Sequence, residues 1–426
     1  MSRLVRQEKL KKAGFNVLLL EPHQVPHDYL TDSLKNHNFD MLECAMLPHS
    51  DLHETVSSLF GFPYSLALSQ GRLGEALLAN LLIERGTLVP SNLAFITTQC
   101  HQKLRGALTE NVINSDAFSY QSSFAFKGDV DLDLLERLLK KHRGHWTAYV
   151  SIELSNNQVG GQPISMQNLK AIRKLTEEYS VKVFLDGCRI LNQAYQIKER
   201  ENGYQDLPVW DIVKQICALA DGMNLSLTKN FPLSHGALVL FREKALYERS
   251  FDFSLLMGDG LDEKAKKMIN VVLNKKDENS TAVEKQMGLV KKASEALKNF
   301  GFRLLEPFGG HALFIDFSDL FSKADDKKNF FQSLFSEWYL EYGLRASHHR
   351  ISGNDSIVRF AFPTLYGENE VTYLLDSLFD WDLKGQQIFS LKKVYVPQGF
   401  TGENRALYLP LADHEKSGQS CVLVHN

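Results

Sequence analysis

Several things are scarce in this chain, and each scarcity narrows what it can be. Its 5 cysteines, Cys44, Cys100, Cys188, Cys217 and Cys421, are odd in number, scattered and never in a Cys-x-x-Cys pair, which argues against a disulfide framework and a structural zinc site. No apolar run approaches the roughly 18 to 20 residues that cross a bilayer, because Lys, Arg or Glu interrupts every candidate. Residues 1–12 are charged and lack the apolar segment of a signal peptide. A reduced, cytoplasmic protein without membrane contact is expected. Neither sign of charge is in excess: 48 Lys and Arg against 51 Asp and Glu give a net −3. A pI near 6.5 leaves no basic footprint for nucleic acid. Internal repeats and low-complexity tracts are absent, and no His, Cys or carboxylate grouping has metal-ligand spacing.

What is present is 426 residues, 44% of them hydrophobic and 23% charged, enough for one large and one smaller domain with a self-sufficient core. Short apolar runs at 64–68, 93–97, 148–154, 181–185, 223–227 and 237–241 read as strands, most of them apolar on both faces. Helical periodicity at 74–85 and 166–179 separates several of them. This alternation predicts an α/β fold with a mostly parallel sheet covered on both sides. A long amphipathic helix at 284–299, then strands at 303–305 and 312–316, mark a second, smaller domain. Residues 277–281 read as a surface loop before it, and 323–328 as a solvated turn. The large domain is placed at 46–283, and the small one combines 1–45 with 284–426. Residues from 399 onward have weak periodicity and receive no assignment.

In such sheets the ligand crevice lies beyond the carboxyl ends of the strands. Four segments there can carry chemistry, each with a plainer alternative. Ser69-Gln70-Gly71-Arg72-Leu73-Gly74 brings glycines to a helix amino terminus, suited to a phosphate or simply to a tight turn. Asn156-Asn157-Gln158-Val159-Gly160-Gly161 offers amides to a ring oxygen, or is an ordinary turn. Asp186, ending a buried strand, needs a cation: a protonated ring nitrogen, or Arg189 three residues on. Lys229, after Ser226-Leu227-Thr228, can be desolvated into a carbonyl nucleophile, or is a surface charge. Together these are the parts that pyridoxal 5′-phosphate requires: a lysine for its aldehyde, an acid for its ring nitrogen, an amide for its ring oxygen and a glycine turn for its phosphate.

Phe126-Lys127-Gly128-Asp129-Val130-Asp131, Gly160-Gly161-Gln162-Pro163-Ile164-Ser165, Val183-Phe184-Leu185-Asp186 and Gly309-Gly310-His311-Ala312-Leu313-Phe314 resemble the tryptophanase and tyrosine phenol-lyase family of β-eliminating lyases. The similarity runs in order from near Gln7 to about Asp380. It implies a fold-type-I pyridoxal-phosphate enzyme with Lys229 as the cofactor-bearing lysine, Asp186 on the pyridine nitrogen, and Asn157 and Arg189 on the ring hydroxyl. Gln70, Gly71, Arg72 and Ser226 resemble the phosphate cradle, and Phe95 the aromatic stacked on the ring. Arg359 and Ser33 resemble the contacts to the substrate carboxylate. A homodimer or homotetramer with shared active sites is implied too.

The chain also departs from that family. Segment 34–48 is shorter and has no tyrosine to protonate a leaving group. Ser234 stands at a position of the family's monovalent-cation site, so no bound potassium is expected. Ile96, Gln99 and Thr228 replace the family's helpers for an aromatic leaving group. His348 and His349 fall near where side-chain specificity is set, so one of them could supply an acid near neutral pH, or both are plain loop residues. His235 stands beside Ser234, while His101 and His311 read as scaffold. The expected reaction is α-proton abstraction and β-elimination on an amino acid other than tryptophan or tyrosine. Aldol cleavage, transamination, or cofactor binding without turnover are the alternatives.

Overall fold

The computed structural model describes residues 1–33, 51–119, 122–142, 146–259, 261–324, 326–351, 354–385, 388, 391–397 and 403–410. Seven strands form one sheet: β1 (Tyr64–Leu68), β2 (Leu88–Ser91), β3 (Leu108–Asn111), β4 (Val150–Glu153), β5 (Val183–Asp186), β6 (Gly222–Ser226) and β7 (Ala237–Phe241). Their order is β1-β7-β6-β5-β4-β2-β3. Only β7 runs against its two neighbours, and all other pairs are parallel. Every residue of β4, β6 and β7 is buried, as expected of strands covered by helices on both faces.

Two local expectations change. The apolar run 93–97 is not a strand: Leu93 has φ 64, and a helix, α2 (Ile96–Leu104), begins where the run ends. The strand is Leu88–Ser91, ended by Asn92, whose side chain donates to the carbonyls of Gly128 (3.0 Å) and Glu153 (3.1 Å). The helix expected at 74–85 is α1 (Gly71–Leu82), which starts three residues earlier. A Cβ on Gly74 would lie 2.2 Å from the Asn224 side chain, so glycine is needed there for helix and strand to touch.

A second sheet, all antiparallel, has the order β10-β11-β9-β8, with β8 (Arg303–Leu304), β9 (Ala312–Asp316), β10 (Ser347–Ile351) and β11 (Asn354–Ala361). Its core gathers both ends of the chain: Leu10, Val17 and Tyr29 pack with Trp338, Tyr339, Phe360 and Phe362. The helix Lys276–Phe300 is longer than expected and absorbs the predicted loop at 277–281. Asp277 and Glu278 lie in its first turn, where acidic groups favour a helix start, so their polarity marks an exposed face and not a break. The boundary placed at 283/284 falls inside this helix, and the one at 45/46 lies outside the described residues. Among the described residues no helix is long and apolar enough to cross a membrane.

Candidate active site

Parallel register lines up the carboxyl ends of three strands. Glu153 on β4 pairs with Asp186 on β5, and Asp186 with Asn224 on β6. The loops that follow carry Asn157, Arg189 and Lys229, so three of the four segments singled out above meet on one edge.

The fourth segment joins from the side. A Cβ on Gly71 would lie 2.9 Å from that of Ser226, so the amino terminus of α1 is seated directly on the end of β6. The Gly71 carbonyl accepts from Asn224 Nδ2 at 3.0 Å. Gln70 caps the helix in an extended conformation, and Arg72 is exposed in its first turn. Free backbone N–H groups at such an end suit an anion. A hydroxyl row continues outward: Ser226 Oγ and Thr228 Oγ1 are 3.1 Å apart, and Ser33 Oγ donates to Thr228 Oγ1 at 3.0 Å.

The Lys229 ammonium stands 5.8 Å from the centre of the Phe95 ring. Asp186 accepts from the Cys188 backbone N–H at 3.1 Å. The plainer alternative for Asp186, an ion pair with Arg189, does not form. Arg189 instead makes a two-pronged pair with Asp32, at 2.7 and 2.9 Å, with both side chains at most 5% exposed. Burial alone would raise the Asp32 carboxyl, but Arg189, with His311 and Lys229 beside it, holds it well below the usual carboxylate range.

Arg359, on β11, is held by three acceptors: Ser347 Oγ (3.1 Å), Asn157 Oδ1 (2.8 Å) and the Leu30 carbonyl (2.9 Å). Burial lowers its guanidinium to about 10, so it stays charged at neutral pH. No carboxylate lies in ion-pair range of it among the described residues. Asn157 Oδ1 also accepts from His311 Nε2 at 3.1 Å. His311 is fully buried, and burial pushes its ring well below the ordinary histidine value, with Arg189 acting in the same direction.

Residues alternate between faces along a strand, and this separates His348 from His349. Ser347 pairs with Arg359 across β10 and β11, and His349 shares that face, close to the backbone of Asn157 and Gln158. His348 points the other way, stacked on Phe331 with ring centres 4.1 Å apart and bonded to the Asp355 carbonyl at 2.8 Å. His348 is therefore not part of the group. Of the two alternatives, an acid near neutral pH is the less favoured, because burial lowers both rings, His349 to about 3.

Sequence reasoning missed Asp32, Glu75 and Glu153, and it set His311 aside as scaffold. Glu153 carried a readable signal: a carboxylate inside the apolar run 148–154 poses the same burial problem that drew attention to Asp186. Asp32 and Arg189 are 157 positions apart, and nothing local announces their pairing. The tyrosine-free segment 34–48 lies outside the described residues.

A lysine facing an aromatic ring, an acid without an arginine partner and a glycine-seated helix end, all on one sheet edge, define a fold-type-I pyridoxal-phosphate enzyme. Solved structures share the fold. The Leishmania major threonine aldolase superposes with TM-score 0.60 at 15% identity, covering 83% of this chain and all of that one. The PLP-dependent cyclase OrfR superposes with TM-score 0.63 at 15% identity, covering 85% and 94%.

The chain belongs to the β-eliminating lyase family, whose profile matches residues 49–351. It is 31% identical over 371 residues to the tyrosine phenol-lyase of Fusobacterium nucleatum, covering 82% of this chain and 79% of the relative. With the tyrosine phenol-lyase of Intrasporangium calvum, identity is 29% over 427 residues, covering 92% and 89%. Membership carries the cofactor: the family uses pyridoxal 5′-phosphate, and the donor set at the strand ends fits it.

Proposed function

We propose that the chain is a lyase that takes the α-proton of an amino acid and breaks a bond at its β-carbon, and that tryptophan and tyrosine are not its substrates. The observation that carries this reading is Arg359: a charged guanidinium oriented by three neutral acceptors and lacking a carboxylate among the described residues, across His311 from a lysine that faces Phe95. Bound there, pyridoxal phosphate supplies an electron-accepting ring that weakens the bonds at the substrate α-carbon. Lys229 would hold the cofactor aldehyde, and its amine would serve as the base for the α-proton. Asp186 would answer the ring nitrogen and Phe95 would lie against the ring. Asn157, whose Oδ1 is taken by Arg359 and His311, would offer its Nδ2 hydrogens to the ring hydroxyl together with Arg189. Gln70, Gly71, Arg72 and Ser226 would hold the phosphate. Ser33 would join Arg359 at the substrate carboxylate.

At the side-chain end, Gln99 spends its amide on the Ala94 carbonyl at 2.6 Å, and Thr228 spends its hydroxyl on Ser33 and Ser226. Both side chains are thus turned toward protein partners, and neither carries the charge of the family residue it replaces. A second reading, cleavage of a β-hydroxy amino acid to an aldehyde, is favoured by His349: a neutral buried ring whose Nε2 has no hydrogen-bond partner is available to hydrogen-bond a substrate hydroxyl. A cytoplasmic homodimer or homotetramer goes with either reading.

The test is a panel of amino acids with purified protein. Elimination yields a keto acid and ammonia, aldol cleavage an aldehyde, and turnover of tyrosine or tryptophan would refute the substrate claim. Lys229→Ala is expected to lose the visible absorbance of the lysine-bound cofactor. Retention of that band would overturn the site.

A further inference from the structure

Two carboxyl groups without a role so far crowd the same strand ends. Glu153 ends β4 in register with Asp186, and Glu75 lies in the second turn of α1. They are 4% and 9% exposed. The Asn157 backbone N–H reaches Glu153 Oε1 at 2.9 Å, but Oε2 of each carboxyl meets no hydrogen-bond partner. Among the described residues neither has a cation in ion-pair range.

The charged groups that face them are few. Asp186, Arg189 and Lys229 face Glu153; Asp186 and Lys229 face Glu75. Arg189 is committed to Asp32. Tyr149 beside Glu75 and Cys188 beside Asp186 are buried and neutral, burial pushing both upward. Two buried carboxyls and the half-buried Asp186 thus share, among the described residues, the field of one uncommitted cation, Lys229, whose amine would be the one to hold the cofactor. Buried like charges this close do not all ionise.

We infer that Glu75 and Glu153 complete, with Asp186, a counter-charge for the cofactor's ring nitrogen, holding protons in the empty protein and giving up at least one as that cationic nitrogen arrives. The carboxyl O–H bond breaks, its electron pair stays on oxygen and the proton passes to solvent. Burial, then the charge of Asp186, raise both groups in the empty protein, Glu75 to about 7, so the exchange falls near neutral pH. The inference rests on Asp186 receiving the ring nitrogen. Both glutamates are positioning residues: they act on the ring through Asp186.

The test counts protons by calorimetry, in two buffers of different ionisation heat at pH 7. The full-length chain, freed of cofactor, is titrated with 4-deoxypyridoxine 5′-phosphate, which has the ring nitrogen and phosphate but no aldehyde to react with Lys229. Relative to wild type, release is expected to fall by up to about one proton in Glu153→Gln or Glu75→Gln, and most in the double variant. Equal counts in all four proteins overturn the inference. Infrared difference spectra of the wild type alone keep it testable if a variant fails to fold. Binding should erase a protonated-carboxyl stretch, and its persistence overturns the inference. No binding by the wild type overturns the cofactor reading itself, a result distinct from binding with equal counts.

Discussion

Two aspartate–arginine pairs with buried guanidinium groups secure the same short stretch of chain, and they differ in what lies behind them. Arg345 grips Asp28 with two nitrogens and donates its third to the carbonyls of Val17 (3.2 Å) and Leu20 (2.6 Å). Every donor nitrogen ends on scaffold. Arg189 grips Asp32 just as squarely, yet that carboxyl also feels Lys229 and His311, and the pair borders the strand ends that we propose as the cofactor site. Identical chemistry thus closes one joint and arms another: the first pins residues 27–28 to Leu344–Arg345, the second carries Ser33 to Thr228.

Removing either acid leaves a buried guanidinium without its partner, which costs about 3–5 kcal/mol. Asp28→Ala and Asp32→Ala should both lose stability on that scale in denaturant titrations. Only Asp32→Ala should also weaken cofactor binding by the folded fraction, and equal weakening by both would erase the distinction.

Acid and neutral pH sharpen it next. The Asp32 carboxyl is depressed in the folded state, so its contribution is complete above about pH 4 and disappears as pH falls further. Glu75 has the opposite sign. Its folded value near 7 exceeds the unfolded 4.5, so the native state binds the extra proton and stability declines as pH rises from about 5 to about 7. Glu75→Gln should flatten that decline, by roughly 2 kcal/mol, when melting of the cofactor-free protein is compared at pH 5 and pH 7.5. Asp32→Asn should lower stability above about pH 4 and so flatten the acid limb, leaving the decline between about pH 5 and about pH 7 unchanged.

A smaller effect separates the two faces of β10. Ser347→Ala removes one acceptor from Arg359 and should raise KM for the amino acid several-fold, a loss of about 1 kcal/mol, with kcat little changed. His348→Ala, on the face stacked against Phe331, should leave KM alone. The smallest effect expected is that of Ser33→Ala, about 0.5–1 kcal/mol in stability from one lost hydroxyl contact.

Much of the sheet was legible because strands covered on both faces leave unbroken apolar runs, as at Ala237–Phe241. Leu88–Ser91 was not, since Pro90 lacks the N–H that a central strand uses. The structure accommodates it with a sparse ladder, in which β2 meets β4 only at Ser91 and at an isolated bridge from Leu88 to Thr147. The run 93–97 misled because apolar side chains at a strand-to-helix turn look like a strand when counted without the helix start. At the site, Asp186, Asn157, Lys229 and Arg359 stood out through local pattern and family likeness. The acids around them are intelligible only once β4, β5 and α1 lie side by side, because pairing and charge crowding are properties of neighbours in space.

The helix Lys276–Phe300 gives Val283 to one core and Leu289, Val290, Ala293 and Leu297 to the other. At about 1.5 Å per residue it is a girder common to two buildings. A polypeptide severed within it would leave each fragment with an open groove lined by oily side chains, so neither half should be recoverable as a well-behaved protein by itself. Co-production of the two fragments should let them complement one another, because each carries the missing rung of the other's hydrophobic ladder.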